Sequence, residues 1–172
     1  MFIEVEQIYH PDMMNFYFKA DNEPQMYASY ADFENKGEGL TQILMNLKGI
    51  KRVLLLKNLL FVEKEEKADW EMLSAQIMAE ISDFDFENMV QPSLKDSEKL
   101  KMIEALIESQ VRSFLVRDGG NLSVIDFQDG VLFVRLEGHC KGCPHAEVTL
   151  KNVIESVLKK YLPFVKAVQK GD

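Results

Sequence analysis

Asp118-Gly119-Gly120-Asn121-Leu122-Ser123-Val124-Ile125-Asp126-Phe127-Gln128-Asp129-Gly130-Val131-Leu132-Phe133-Val134-Arg135-Leu136-Glu137 is the segment on which the fold turns. Two runs rich in branched and aromatic residues, 122–127 and 131–137, flank Gln128-Asp129-Gly130. Asp-Gly between such runs is a strong hairpin signal. Upstream, Leu100, Ile103, Ile107, Val111 and Phe114 share one helical face, with Ser97 placed to cap it and Asp118-Gly119-Gly120 to stop it. Downstream, Leu150, Val153, Ile154, Val157, Leu158 and Tyr161 recur at helical spacing until Pro163, and residues 164–168 read as an added edge strand. The order α-β-β-α-β predicts one sheet faced by two helices.

Further upstream the pattern lapses through Asp85-Phe86-Glu87-Asn88-Met89-Val90-Gln91-Pro92-Ser93, where Asn, Pro and Ser separate two patterned blocks. The expected organisation is a domain at 1–87, a linker at 88–96 and a second domain at 97–172. In the first block, residues 2–8, 15–19 and 26–30 read as strands, and 39–47 as a short amphipathic helix stopped by Gly49. Residues 52–56 and 59–63 read as two strands joined by Lys57-Asn58, and Asp69 starts a helix with Trp70, Leu73, Ile77 and Ile81 on its apolar face. The fold class is α+β with two small domains. Trp70, the methionines and the tyrosines are expected in core and rim, and His10 before Pro11 in a turn.

Composition excludes several classes. Hydrophobic residues make up 47% and charged residues 28% of 172 positions, too apolar for a disordered chain. The longest apolar runs, Val53-Leu54-Leu55-Leu56 and Leu59-Leu60-Phe61-Val62, are far short of a membrane span. A net charge of −8 argues against nucleic acid as the main partner, since phosphate neutralisation needs clustered Lys and Arg. Met1-Phe2-Ile3-Glu4-Val5-Glu6 lacks the basic start of a secretory signal or transit peptide, so the expected compartment is a bacterial cytoplasm, with a mature mitochondrial form as the alternative. The two cysteines lie three positions apart, which rules out a disulfide framework and suits a reducing setting.

Those cysteines carry the chemistry. Gly138-His139-Cys140-Lys141-Gly142-Cys143-Pro144-His145-Ala146 lies between a predicted strand and the last predicted helix. Cys-x-x-Cys brings two thiols close enough to grip one metal centre, Gly142 lets the backbone fold tightly between them, and Pro144 suits a first helical turn. The start of that helix favours thiolate over thiol. An incidental pair fits poorly, because free Cys prefers apolar surroundings and this loop is polar. A dithiol redox pair is compatible with Cys-x-x-Cys. Against it, the order of elements lacks a βαβ unit and the intervening residues are Lys141-Gly142. A zinc site could recruit His139 or His145, although adjacent residues rarely turn both side chains onto one ion. Iron-sulfur clusters typically need four thiolates, so one chain has half a set and a symmetric dimer supplies the whole. Spacing does not distinguish 2Fe-2S from 4Fe-4S.

Several separated motifs agree in order and spacing with one family. Asp118-Gly119-Gly120-Asn121-Leu122, Asp129-Gly130-Val131, Val134-Arg135-Leu136, Gly138-His139-Cys140-Lys141-Gly142-Cys143-Pro144, Thr149-Leu150-Lys151, Ile154-Glu155 and Leu158 resemble the C-terminal domain of Nfu/NifU proteins. The first block, with Met1-Phe2-Ile3, Pro11, Gly49-Ile50 and Asp69-Trp70, resembles the N-terminal domain of Nfu proteins. The resemblance implies a non-enzymatic carrier that holds a 4Fe-4S cluster on a homodimer through Cys140 and Cys143. It would receive the cluster from an upstream scaffold and pass it to apo-proteins, with the N-terminal domain influencing partner choice. The chain departs from the family pattern at Asn121, where Asp is usual, at His139 and His145-Ala146, and at Arg112-Ser113, where Arg-Pro is usual.

Overall fold

The computed structural model describes residues 1–19, 27–87, 89, 91–138 and 144–171. The chain forms two compact units, Met1–Glu98 and Lys99–Asp172.

The first unit is a five-stranded antiparallel sheet with two helices. Strands β1 (Ile3–Gln7), β2 (Met13–Phe18), β3 (Ala28–Asp32), β4 (Ile50–Leu56) and β5 (Leu59–Lys64) take the order β1-β2-β5-β4-β3. Helix α1 (Gly39–Met45) lies between β3 and β4 in the chain, and α2 (Trp70–Asp83) follows β5. Phe16, Val53, Leu55, Leu60 and Val62 share a core with Leu40 and Leu44 of α1 and with Leu73, Ile77 and Ile81 of α2. The alternate residues Leu54, Leu56, Leu59 and Phe61 are buried as well. That is why β4 and β5 read as continuous apolar runs and not as alternating ones.

Local chemistry explains the boundaries. The Asp69 carboxylate accepts the Glu71 N–H at 2.9 Å, so the expected start of α2 holds. Trp70 is half-buried, and its indole N–H donates to the Pro11 carbonyl at 2.7 Å. His10 is a turn residue, its Nδ1 accepting the Asp12 N–H at 3.2 Å. Helix α1 ends two residues earlier than expected, with Asn46 as its C-cap, while Gly49 supplies a left-handed φ of 95° at the entry to β4. A bulge follows at once, because the register slips between Ile50 and Arg52. Two residues then oppose Glu63, and both Lys51 and Arg52 pair with its carboxylate.

Residues 88–96, expected as a linker, fall within the first unit. The Gln91 side chain accepts the Ala28 N–H at 3.0 Å and donates to the Ala28 carbonyl at 3.1 Å. A side-chain amide thereby occupies backbone groups on the edge strand β3.

The predicted single helix is two, α3 (Asp96–Gln110), whose residues up to Glu98 fall in the first unit, and α4 (Arg112–Arg117), broken at Val111, where φ is −111°. Ile103, Ile107, Val111 and Leu115 are buried through the break, so the apolar period runs on and gives no sign of it. Ser97 lies inside α3 and is not its cap; Glu98 instead accepts the Lys95 N–H at 2.8 Å, half of a capping box. Strands β6 (Gly120–Gln128) and β7 (Val131–Gly138) form the expected hairpin, with positive φ at both Asp129 (52°) and Gly130 (86°), the signature of a type I′ turn. Helix α5 (Pro144–Tyr161) buries Ile154 and Leu158, whereas Val153, expected on that face, is exposed.

Strand β8 (Ala167–Lys170) lies beside β7 and parallel to it, giving the order β6-β7-β8. The unit therefore contains a βαβ element, β7-α5-β8, which the sequence reading had excluded. The physical reason is the helix, which carries the chain back along the sheet so that the next strand can only start from the same end as β7. No helix among the described residues is long and apolar enough to cross a membrane.

Candidate functional site

The candidate ligands Cys140 and Cys143 lie outside the described residues, as do His139, Lys141, Gly142 and the side chain of His145. The structure describes what holds this segment at either end. Strand β7 ends at Gly138 and α5 begins at Pro144, the first helical residue as expected.

Glycines build the launching point. Helix α4 ends as the Gly119 N–H donates to the Val116 carbonyl at 3.1 Å, and Gly119 takes a left-handed φ of 73°. Gly120 already belongs to β6 and pairs with Gly138 across the hairpin, so the turn expected of Gly119 and Gly120 rests on Gly119. Gly138 has φ 71°, and a Cβ there would stand 2.6 Å from the Gly119 carbonyl oxygen and 3.3 Å from the Gly120 Cα. Backbone thus meets backbone at the base of the cysteine segment, which only glycine permits.

A polar clamp steadies the same base. Arg112 Nη1 donates to the Asn121 side-chain oxygen at 2.5 Å and to the Leu122 carbonyl at 2.6 Å, while its Nε and Nη2 donate to Glu108 at 3.1 and 2.8 Å. The Asn121 amide donates in turn to Glu137 at 3.4 Å, and the Ser123 hydroxyl donates to the other Glu137 oxygen at 2.9 Å. One guanidinium therefore joins the end of α3 to the first residues of β6 and, through Asn121, to the residue before Gly138. Asn121 can serve both partners at once, its oxygen accepting from Arg112 while its amide faces Glu137 across the strands. The sequence reading missed this clamp. Its only local trace is the i, i+4 spacing of Glu108 and Arg112, common on any helix surface.

At the far side of the unit, Glu155 accepts from Lys159 at 2.6 Å and from the Val168 N–H at 3.0 Å, tying α5 to β8. These two bonds, Lys159 first, hold its carboxyl below the ordinary range. Among the described residues no cluster of three or more His, Cys, Asp or Glu side chains is placed to hold a metal ion. The segment that carries the two cysteines thus runs between a glycine-packed strand end and the start of α5.

The finding that β7-α5-β8 is a βαβ element removes one of the two arguments against a dithiol redox pair. The Lys141-Gly142 insert remains the other.

Comparison with known proteins places both blocks. Residues 103–169, which include both cysteines, match the NifU-like domain, and residues 3–88 match the N-terminal domain described as "Scaffold protein Nfu/NifU N terminal". The chain is 30% identical over 190 residues to "NifU-like protein 4, mitochondrial" of Arabidopsis thaliana, covering 98% of this chain and 65% of that one. It is 29% identical over 184 residues to "NFU1 iron-sulfur cluster scaffold homolog, mitochondrial" of Homo sapiens, covering 98% of this chain and 71% of that one. The chain thus spans under two thirds of the Arabidopsis protein's length. Among solved structures, protein SAV1430 from Staphylococcus aureus aligns with TM-score 0.39 and 17% identity, covering 47% of this chain and 99% of that one. The expected bacterial cytoplasmic setting finds no support in these relatives, both of which are named as mitochondrial. The residues that build a fold do not carry its cellular address, and the acidic start was no guide to it. With one matched domain on each compact unit, the chain belongs to the Nfu/NifU family.

Proposed function

We propose that this chain is a non-enzymatic iron-sulfur cluster carrier. It holds a 4Fe-4S cluster as cargo between two copies, through Cys140 and Cys143 of each, receives it from an upstream scaffold and passes it to apo-proteins. The observation that carries this reading is the match of 103–169 to the NifU-like domain, which brackets both cysteines. The names of the relatives support it, as does the count of two thiols per chain against a cluster's usual four. A cluster shared by two chains is held by half as many bonds from each, which favours release over storage.

Anaerobic reconstitution with iron and sulfide tests it. The expected product is a brown dimer with about four irons per dimer, or about two if the cluster is 2Fe-2S. A colourless monomer with tightly held zinc would refute it.

The β7-α5-β8 element favours a second reading, a dithiol oxidoreductase. That reading predicts a reversible disulfide between Cys140 and Cys143, with turnover of a disulfide substrate and no need of metal or dimer.

We further propose that the two blocks act as separate domains, 1–87 and 97–172, joined through 88–96, a stretch that Gln91 tethers to β3 in the first unit. Limited proteolysis within 88–96 that leaves two folded halves supports this division, and cleavage that leaves neither folded refutes it.

A further inference from the structure

The β6–β7 hairpin is closed by the turn at Asp129-Gly130 and open at its other end, where the cysteine segment begins. The last pairs there are Leu122 with Leu136, Asn121 with Glu137 and Gly120 with Gly138. Side chains alternate between the two faces of a strand. The buried pair Leu122 and Leu136 therefore faces one side, while Asn121, Ser123 and Glu137 share the other. Gly120 and Gly138 bring no side chain to hold the final pair. Gly138 must nevertheless stay close to the Gly119 carbonyl oxygen, where a Cβ would come within 2.6 Å. Strand ends open first, so the tie nearest the end matters most. Glu137 is the last side chain of β7 able to supply it.

Its bonds are specific. One oxygen accepts from the Ser123 hydroxyl at 2.9 Å and the other from the Asn121 amide at 3.4 Å. A single carboxylate thereby spans the residue directly opposite and its diagonal neighbour. The Asn121 oxygen already accepts from Arg112 at 2.5 Å, which leaves its amide turned to Glu137. Both donors to Glu137 are uncharged. What position 137 requires is a forked side chain with an acceptor toward Asn121, since the Ser123 hydroxyl is able to donate or accept.

We propose that Glu137 is a positioning residue for the cysteine pair. By accepting from Asn121 and Ser123 it keeps the open end of the hairpin shut, and so fixes the point from which the chain leaves Gly138 toward Cys140. It acts through the strand end and touches neither thiol's chemistry itself. Once the end opens, the segment between Gly138 and Pro144 gains length and freedom, and the two thiols meet less often. The part of this proposal that concerns a bound cluster rests on the carrier reading.

The test uses the full-length chain and three variants. Glu137→Leu removes both ties and Ser123→Ala removes one. Glu137→Gln restores both, its oxygen toward Asn121 and its amide donating to the Ser123 hydroxyl. In apo-protein, the equilibrium of the Cys140–Cys143 disulfide with glutathione reads how closely the segment holds the two thiols. Glu137→Leu should lower that constant by about tenfold and Ser123→Ala by about threefold, the factors that one or two net hydrogen bonds supply. Glu137→Gln should match wild type. After anaerobic reconstitution, loss of visible absorbance to an iron chelator should quicken in the same order and by similar factors. Gly130→Ala, at the closed end of the same hairpin, controls for stability alone and should match wild type in both assays at a temperature where every variant is folded. A wild type that takes up no iron refutes the carrier reading, and the disulfide equilibrium, which needs no cluster, then decides this proposal by itself. Equal values for Glu137→Leu and wild type in either assay, a change in Gly130→Ala as large as in Glu137→Leu, or failure of Glu137→Gln to restore wild-type values would each overturn it. Should Glu137→Leu fail to fold, the threefold change in Ser123→Ala takes its place.

Discussion

Gly138→Ala tests the geometry at the base of the cysteine segment. Two costs add at this position. A left-handed φ of 71° costs an L-residue about 1–2 kcal/mol. The new Cβ would also stand 2.6 Å from the Gly119 carbonyl oxygen. Because that neighbour is backbone, the strand end itself must move, at about 1–3 kcal/mol, typical of overpacking. The turn variant Gly130→Ala separates the two costs. Its φ of 86° carries the same conformational penalty, but its Cβ meets only the flexible stem of Lys166, 2.8 Å away, which can swing aside. Thermal unfolding of the reduced apo-protein should therefore place Gly138→Ala below Gly130→Ala by about 1–3 kcal/mol, or at least about 4 °C in Tm for a unit of this size. After anaerobic reconstitution at a temperature where both are folded, Gly138→Ala should lose visible absorbance and Gly130→Ala should keep it. Equal Tm values for the two would refute the backbone contact, and equal cluster retention would refute the claim that this contact positions the cysteines.

Other outcomes follow from the proposed function and from the described structure. Cys140→Ser or Cys143→Ser should each abolish the cluster and the cluster-dependent dimer together, whereas His139→Ala and His145→Ala should retain both and change at most the transfer rate, read by iron analysis and size-exclusion chromatography. Arg112→Ala removes the guanidinium bonds to the Leu122 carbonyl, Asn121 and Glu108, at about 2–3 kcal/mol in urea unfolding, and Arg112→Lys should recover only part of this because one ammonium cannot replace the fork. Glu155→Gln should destabilise by about 0.5 kcal/mol at neutral pH, the scale of a partly solvated pair. Its carboxyl is held below the ordinary range in the folded state, so its contribution is full above the unfolded pKa and is lost as pH falls through the lower folded one. The gap between wild type and variant should close below about pH 4, and a gap that widened on acidification would contradict this reading.

The amino-acid sequence by itself determined whatever depends on near neighbours. Apolar spacing placed the strands and helices, Asp69 marked the start of α2, and Asp129-Gly130 set a two-residue turn, because periodicity and local steric preference act within a few residues. It also presented the Cys140 and Cys143 pair, and with the surrounding motifs the family, since ligand identity is a property of residue type and spacing. Only the tertiary structure decided the rest. The break at Val111 leaves the apolar period intact, the slip between Val124 and Asp126 in β6 depends on which partner residues are opposite, and the parallel course of β8 depends on where α5 returns the chain. Val153 was expected inside and lies outside because burial depends on what packs against a helix, not on its stripe alone. The Arg112 clamp and the Gly138 contact on Gly119 join groups that periodicity does not relate. Pairings of this kind exist only once strands and helices are brought together, so the cysteine pair was legible in the sequence while the contacts at the ends of its segment were not.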